Sequence, residues 1–591
     1  MSSRSTTNGV NGVDGVNGTN GTNGTNGTNG TNGTNGQAAA YTIPDTSLGD
    51  VRPIRIVCVG AGASGLNLAH RIDQYMRNTQ LVVYEKNPEV GGTWYENRYP
   101  GCACDIPSHN YQFTWEPNPD WTTFYSKAPE ILEYFKMVAK KHNLYKYIHL
   151  QHRVVSADWD EADAVWRLQI ENLGTGEVFS DWGDFMVTAS GVLNNWRWPD
   201  IPGLHSFQGQ LVHSANWDPA VDWKGKRVAV LGCGSSGVQI VPTIQPGVAH
   251  LTTFIRTPTW ITAGFAQSKA GPGGSNFAFS DEQKKKFRED PEAYLQYRKE
   301  VEQELNVRFK FIIKDSPEQA EAVKFSIKEM TSKLGEDSPL LPYLVPSFAV
   351  GCRRPTPGNG YLEALTQDNV RVATDSIAEV VPEGIKLTTG EVIKVDLFIC
   401  ATGFDISFRP RYPIRGLGGI ALSEQWKDRA RGYLSLAIPN FPNHFMFLGP
   451  SAPVGHGSLL PIAEHATKYM LRMIHKAQTQ DIRSVVVTQD AVDDFNEHID
   501  LYMQRTAWST PCRSWFKNGT LDGPIVALHP GSRLHWFHML DEPRYEDYVW
   551  TRRQANRFSY LGNGFSTKEA PGKDTTLYFE DTEKDYDFLK G

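Results

Sequence analysis

Two short glycine-rich turns, each set between an apolar strand and a helix, constrain this chain more than anything else in it. The first follows Ile54-Arg55-Ile56-Val57-Cys58-Val59 and reads Gly60-Ala61-Gly62-Ala63-Ser64-Gly65, after which Leu66-Asn67-Leu68-Ala69 opens a helix. The second follows Arg227-Val228-Ala229-Val230-Leu231 and reads Gly232-Cys233-Gly234-Ser235-Ser236-Gly237, with its helix running from Val238. A GxGxxG string alone says little. In this setting its three glycines permit the tight turn, the close approach of backbone to a diphosphate and the packing of helix on sheet, while the helix N-terminus offers free N–H groups to the anion. The expected fold is α/β, with two Rossmann-like dinucleotide-binding domains.

What ends the second strand of each unit separates the two ligands. Leu81-Val82-Val83-Tyr84 ends in Glu85, which can accept from a ribose 2′-hydroxyl and would repel a 2′-phosphate, so the first unit suits the AMP half of FAD. Leu251-Thr252-Thr253-Phe254-Ile255 ends instead in Arg256-Thr257, with no acid. Arginine there favours NADP: a charge-assisted hydrogen bond of about 1.5 to 3 kcal/mol corresponds to a preference of about 10- to 100-fold over NAD.

The rest of the chain is arranged around these units. At 591 residues it exceeds what one core supports, and its 40% of hydrophobic residues is enough to fill more than one. Residues 7 to 36 are mostly a tandem Asn-Gly-Thr or Asn-Gly-Val tract. Such a tract cannot bury enough apolar surface to offset its ordering entropy, so residues 1–45 are expected to form a disordered tail. Residues 50–200 are expected to be the first part of the FAD domain and 205–385 the NADP domain. Within the latter, about 275–345 reads as a helical insertion, with Ser280 and Gln283 as a capping box and apolar Tyr294, Tyr297, Val301, Leu305 and Phe309. The strand Val395 to Gly403 is expected to return the chain to the FAD domain, placing 386–591 there with a C-terminal segment.

A net charge of -7 gives no electrostatic case for nucleic acid or an anionic membrane. No apolar run reaches the length of a membrane span and the N-terminus lacks a signal-peptide pattern, so a soluble, cytoplasmic protein acting on a small molecule is expected. The seven cysteines are scattered without a CxxC pair, which excludes a zinc or dithiol motif and leaves them expected as reduced, buried thiols. No metal site is expected.

Two longer strings go further. Phe207-Gln208-Gly209-Gln210-Leu211-Val212-His213-Ser214-Ala215-Asn216-Trp217-Asp218 matches the FxGxxxHxxxW(P/D) fingerprint of Baeyer-Villiger monooxygenases. The stretch from Gly91-Gly92-Thr93-Trp94 through Tyr99-Pro100-Gly101 to Asp105 matches that family's GGxWxxxxYPGxxxD signature. The chain resembles this family of FAD-dependent, NADPH-consuming enzymes from about residue 50 to about 565.

The resemblance implies insertion of one oxygen from O2 beside a ketone carbonyl through a flavin peroxide, giving an ester or lactone. It implies that Phe207, Gly209, His213 and Trp217 couple domain movement to catalysis, that Gly92, Thr93, Trp94 and Asp105 border the flavin, and that Ser235, Ser236, Thr257 and Arg353 serve NADP. In Gly351-Cys352-Arg353-Arg354-Pro355 it makes Arg354 the catalytic cation, oriented by Asp105, and it makes Trp515 the cover of the nicotinamide ribose. Many members carry arginine where this chain has Ala103. A flavin monooxygenase oxidising nitrogen or sulfur is the alternative. The substrate is not legible, because pockets of this kind are built from loops; Ser451 to Pro461, with Gly455, His456 and Gly457, is expected to form part of its wall. By analogy, a fungal-type enzyme acting on a secondary metabolite is expected.

Overall fold

The computed structural model describes residues 41–579, so the repeat tract at 7 to 36 lies outside the described residues. Residues 44–579 form one compact unit. It is built on two five-stranded parallel sheets. In the first, the order is His444–Met446, Phe185–Thr188, Ile54–Val59, Thr79–Tyr84, Ile148–His149. In the second, it is Val370–Ala373, His250–Phe254, Arg227–Leu231, Leu397–Cys400, Gln210–His213.

Each glycine turn leaves the central strand of its sheet. The flanking strands lead off to opposite sides there, so a crevice opens at the carboxyl end of that strand. Ile54–Val59 is almost wholly buried, as a parallel strand covered on both faces must be. The registers of the two units coincide: Val59 pairs with Tyr84 and Leu231 with Phe254. Glu85 and Arg256 are thus delivered to the mouths of their respective crevices.

The strand read from Val395 to Gly403 does not enter the first sheet. Leu397–Cys400 lies inside the second, hydrogen-bonded to both Arg227–Leu231 and Gln210–His213, and the chain rejoins the first sheet only at His444–Met446. An apolar strand followed by a glycine turn reads alike in either sheet, and only long-range pairing distinguishes them.

Between His250–Phe254 and Val370–Ala373 the chain forms the helices Asp281–Glu289, Pro291–Val307 and Pro317–Leu334. The capping box is present in both directions, Ser280 with Gln283. These helices dock on the first unit's loops: Asn110 Nδ2 donates to Glu302 Oε2 at 2.9 Å, Arg298 Nε to the His109 carbonyl at 3.1 Å, and the Tyr294 hydroxyl to the Asn118 carbonyl at 2.7 Å.

The cysteines depart from expectation at one pair. Cys352 and Cys512 form a disulfide, 160 residues apart in sequence and 6.4 Å between Cα atoms, while Cys58, Cys102, Cys104, Cys233 and Cys400 are free and buried. A pairing over that distance leaves no trace in local spacing. Among the described residues no helix is long and apolar enough to cross a membrane, and no group of His, Cys, Asp or Glu is arranged to hold a metal.

Candidate functional site

The first turn opens onto a cavity of about 540 Å³ lined by Gly60, Gly62, Glu85, Gly92, Thr93 and Trp94. The geometry demands its glycines. Gly60 has φ +108° and an added Cβ would lie 2.7 Å from the Ala189 carbonyl oxygen, while a Cβ on Gly65 would overlap the Gly60 carbonyl. Gly62 and Gly92 face each other closely enough that a Cβ on Gly62 would sit 3.5 Å from the Gly92 Cα.

Glu85 is buried; its Oε2 accepts from the Ala61 N–H at 2.8 Å and its Oε1 from the Asn87 N–H at 2.9 Å. Burial raises its pKa and those two N–H groups oppose the rise. Asn194 Oδ1, on the cavity wall, is buried without a donor. A ligand with hydroxyls and a diphosphate fits this wall: it satisfies the orphaned amide oxygen, meets the helix N-terminus and uses the spare lone pairs of Glu85. Trp94 closes one side, with its indole N–H donating to the Tyr111 hydroxyl at 3.1 Å.

The second turn repeats the glycine geometry. Gly232 has φ +112°, an added Cβ would lie 2.5 Å from the Ala401 carbonyl oxygen, and a Cβ on Gly237 would overlap the Gly232 carbonyl. Gly234 faces open space, and Ser235 and Ser236 begin the helix Ser235–Ile244. Beyond the second strand, Arg256 is exposed and has no carboxylate partner among the described residues. Arg353 arrives beside it, donating to the Pro258 carbonyl at 3.1 Å and more weakly to that of Thr257 at 3.5 Å. Burial chiefly lowers the Arg353 pKa; Cys233 opposes this and the nearby Arg256 charge adds to it. Two guanidiniums held together without an acid are arranged for a polyanion such as a 2′-phosphate.

Between the two crevices Arg354 and Asp105, 249 residues apart, form a two-pronged pair: Arg354 Nη1 with Asp105 Oδ2, and Nη2 with Oδ1 at 3.0 Å. Both are about a quarter exposed, so the pair is accessible and incompletely hydrated. Two residues missed in the sequence complete it. The Phe265 ring lies under the Arg354 guanidinium, 5.5 Å from its centre, and the Tyr125 hydroxyl donates to the Phe265 carbonyl. A lone aromatic in a loop carries no signal that would have singled it out. Tyr111, close after Asp105 in the chain, lines the first cavity, while Asp105 and Arg354 are outside its lining.

The stretch Tyr99-Pro100-Gly101 reaches the second unit. The Tyr99 hydroxyl donates to Gln239 Oε1 at 2.9 Å, Gln239 Nε2 returns to the Ala103 carbonyl at 3.0 Å, and any side chain at Gly101 would collide with Thr243. Ala103, where many members of the resembled family carry arginine, contributes that carbonyl.

The Phe207 to Asp218 string lies at the edge of the second sheet. Any side chain on Gly209 would strike the Phe207 ring, and Trp217 is buried against Trp223. His213 is buried and stacked on Trp196; its Nδ1 accepts from the Ala215 N–H at 3.1 Å and its Nε2 lies 3.1 Å from the Thr402 hydroxyl. Burial lowers its pKa to about 4, so it is neutral near pH 7. It fastens the edge strand Gln210–His213 to the turn after Leu397–Cys400.

Trp515 is brought to the arginine loop by the Cys352–Cys512 bond, and packs against Phe516. In the loop at 451–461, His456 rests on Phe309, and Gly457 is pressed against the fully buried Arg533, which is itself paired with Glu302.

The model of the flavin-binding monooxygenase-like family matches residues 53–310. The chain is 42% identical over 518 residues to the FAD-binding monooxygenase tazF of Aspergillus terreus, covering 87% of this chain and 92% of that one. It is 32% identical to a Baeyer-Villiger monooxygenase of Pseudomonas aeruginosa, covering 81% and 88%. The structure is similar to that of cyclohexanone monooxygenase from Rhodococcus sp. Phi1 bound to NADP+, with a TM-score of 0.73, 26% identity, and coverage of 85% of this chain and all of that one. The chain belongs to the flavin-binding monooxygenases, a family of enzymes. Within that family its place is among those of Baeyer-Villiger type.

Proposed function

We propose that this enzyme inserts one atom of O2 beside a ketone carbonyl to give an ester or lactone, with FAD in the first crevice and NADPH in the second. The observation that carries this reading is the two-pronged Arg354–Asp105 pair with the Phe265 ring beneath it. When bound, the flavin, reduced by NADPH, activates O2 and supplies the oxygen that is inserted.

The protein's own part is electrostatic. Attack on a ketone turns its carbonyl oxygen into an oxyanion, and a fixed cation at the site stabilises that charge without reorganising. Asp105 holds both terminal nitrogens of Arg354, fixing the plane of the guanidinium, and Phe265 covers one face of it. Trp94 and Tyr111 form an aromatic wall that keeps water from the reacting face. Arg256 and Arg353 hold the NADPH phosphate. His213, neutral and tied to Thr402, positions the linker, and Trp515 covers the nicotinamide ribose.

The test is Arg354→Ala with a panel of cyclic and polycyclic ketones and one thioether. Ester formation falls by at least about 100-fold, the scale of losing one oxyanion donor, and Arg354→Lys fails to restore it because one ammonium cannot make the two-pronged contact. Retained ester formation would sink the assignment, and oxygenation of the thioether alone would move the enzyme to sulfur oxidation.

A further inference from the structure

Three cations line the flavin cavity: Lys86, Arg153 and Arg411. Lys86 is paired with Glu96 at 2.6 Å, and Arg153 with Glu171 at 2.6 Å. Arg411 has no hydrogen-bond or ion-pair partner among the described residues, although it also borders a second cavity of about 210 Å³ formed with Asn194, Asn195 and Asn216. Its side chain is exposed to this open space; desolvation by the surrounding protein lowers its pKa, and Glu96 and Asp405 act on it only through their fields. A guanidinium that lines a cavity and has no carboxylate of its own is free to take a ligand anion.

The charge balance of the cavity points the same way. Glu85 contributes a carboxylate met only by backbone N–H groups, and Glu96 is neutralised by Lys86. The diphosphate of FAD brings two further negative charges, against which the helix N-terminus after Gly60 offers about half a positive charge. We propose that Arg411 is a flavin-binding residue that contacts the FAD diphosphate, reaching the cavity from the segment after Leu397–Cys400, outside the glycine turn. The contact depends only on FAD being bound, so the ketone reading could fail without touching it.

The experiment titrates FAD into stripped full-length protein, wild type, Arg411→Gln and Arg411→Lys, by flavin fluorescence at several salt concentrations. Arg411→Gln weakens FAD by about 10- to 100-fold, the range of a charge-assisted hydrogen bond, and flattens the salt dependence. Arg411→Lys falls between, and inorganic pyrophosphate competes with FAD in the wild type but not in Arg411→Gln. NADP+ affinity of the reconstituted variants stays within twofold of wild type.

An FAD affinity within twofold of wild type overturns the proposal. So does a loss of affinity with an unchanged salt slope, which would mark a packing role, or a loss confined to NADP+. If Arg411→Gln yields no folded apoprotein, judged by thermal melting, Arg411→Met is titrated in its place and decides by the same criteria.

Discussion

The two glycine turns are the same device with different endings. Their strands share one register, their first glycines have φ of +108° and +112°, and in both a Cβ on the third glycine would overlap the carbonyl of the first. They differ at the middle glycine, which faces Gly92 in the first unit and open space in the second, and at the ribose end, which is a buried glutamate in one and an exposed arginine in the other. Geometry common to both serves what the two nucleotides share, the diphosphate. On the proposed assignment, the chemistry that differs serves what distinguishes them, the 2′ position of the ribose.

The sharpest way to break this comparison is at the third glycines. Gly65→Ala costs at least about 100-fold in FAD affinity, because the methyl group has only backbone to displace. Gly237→Ala does the same for NADPH while leaving the flavin bound; a Gly237→Ala protein that emerges without flavin would show that the units are not separable.

A smaller effect is expected at Arg256, where alanine lowers the ratio of NADPH to NADH use by about 10- to 100-fold, and an unchanged ratio of kcat/KM values would refute the assignment. The double change Arg256→Ala with Arg353→Ala adds less than the sum of the two if both hold one phosphate.

The smallest effect concerns acid. His213 has its folded pKa lowered, so the fold favours the neutral ring; that stability is present above about pH 6.5 and is lost as pH falls from there toward 4. Melting temperature measured across this window drops less in His213→Gln than in wild type, and parallel curves would remove His213 from the linker's acid response.

Much of the layout was legible because it rests on local rules. Strand, turn and helix around Gly60 and Gly232, the capping box at Ser280, and the change from Glu85 to Arg256 are all set within a few residues of chain. What escaped depends on distance. The strand Leu397–Cys400 reads identically whichever sheet receives it, Phe265 gains meaning only under Arg354, and Arg411 becomes conspicuous only when its neighbours prove to be paired. The union of Asp105 and Arg354 was reached through family resemblance, since nothing in either residue's neighbourhood announces a partner 249 positions away.

The bond between Cys352 and Cys512 makes a closed ring of the chain, threaded through the second sheet at Leu397–Cys400, the first at His444–Met446 and the long helix Leu459–Thr479. The loop bearing Arg353 and Arg354 and the segment bearing Trp515 are therefore covalently joined, one part with two addresses in the sequence. A displacement of either one is therefore passed directly to the other through a covalent bond, without relying on the packing between them.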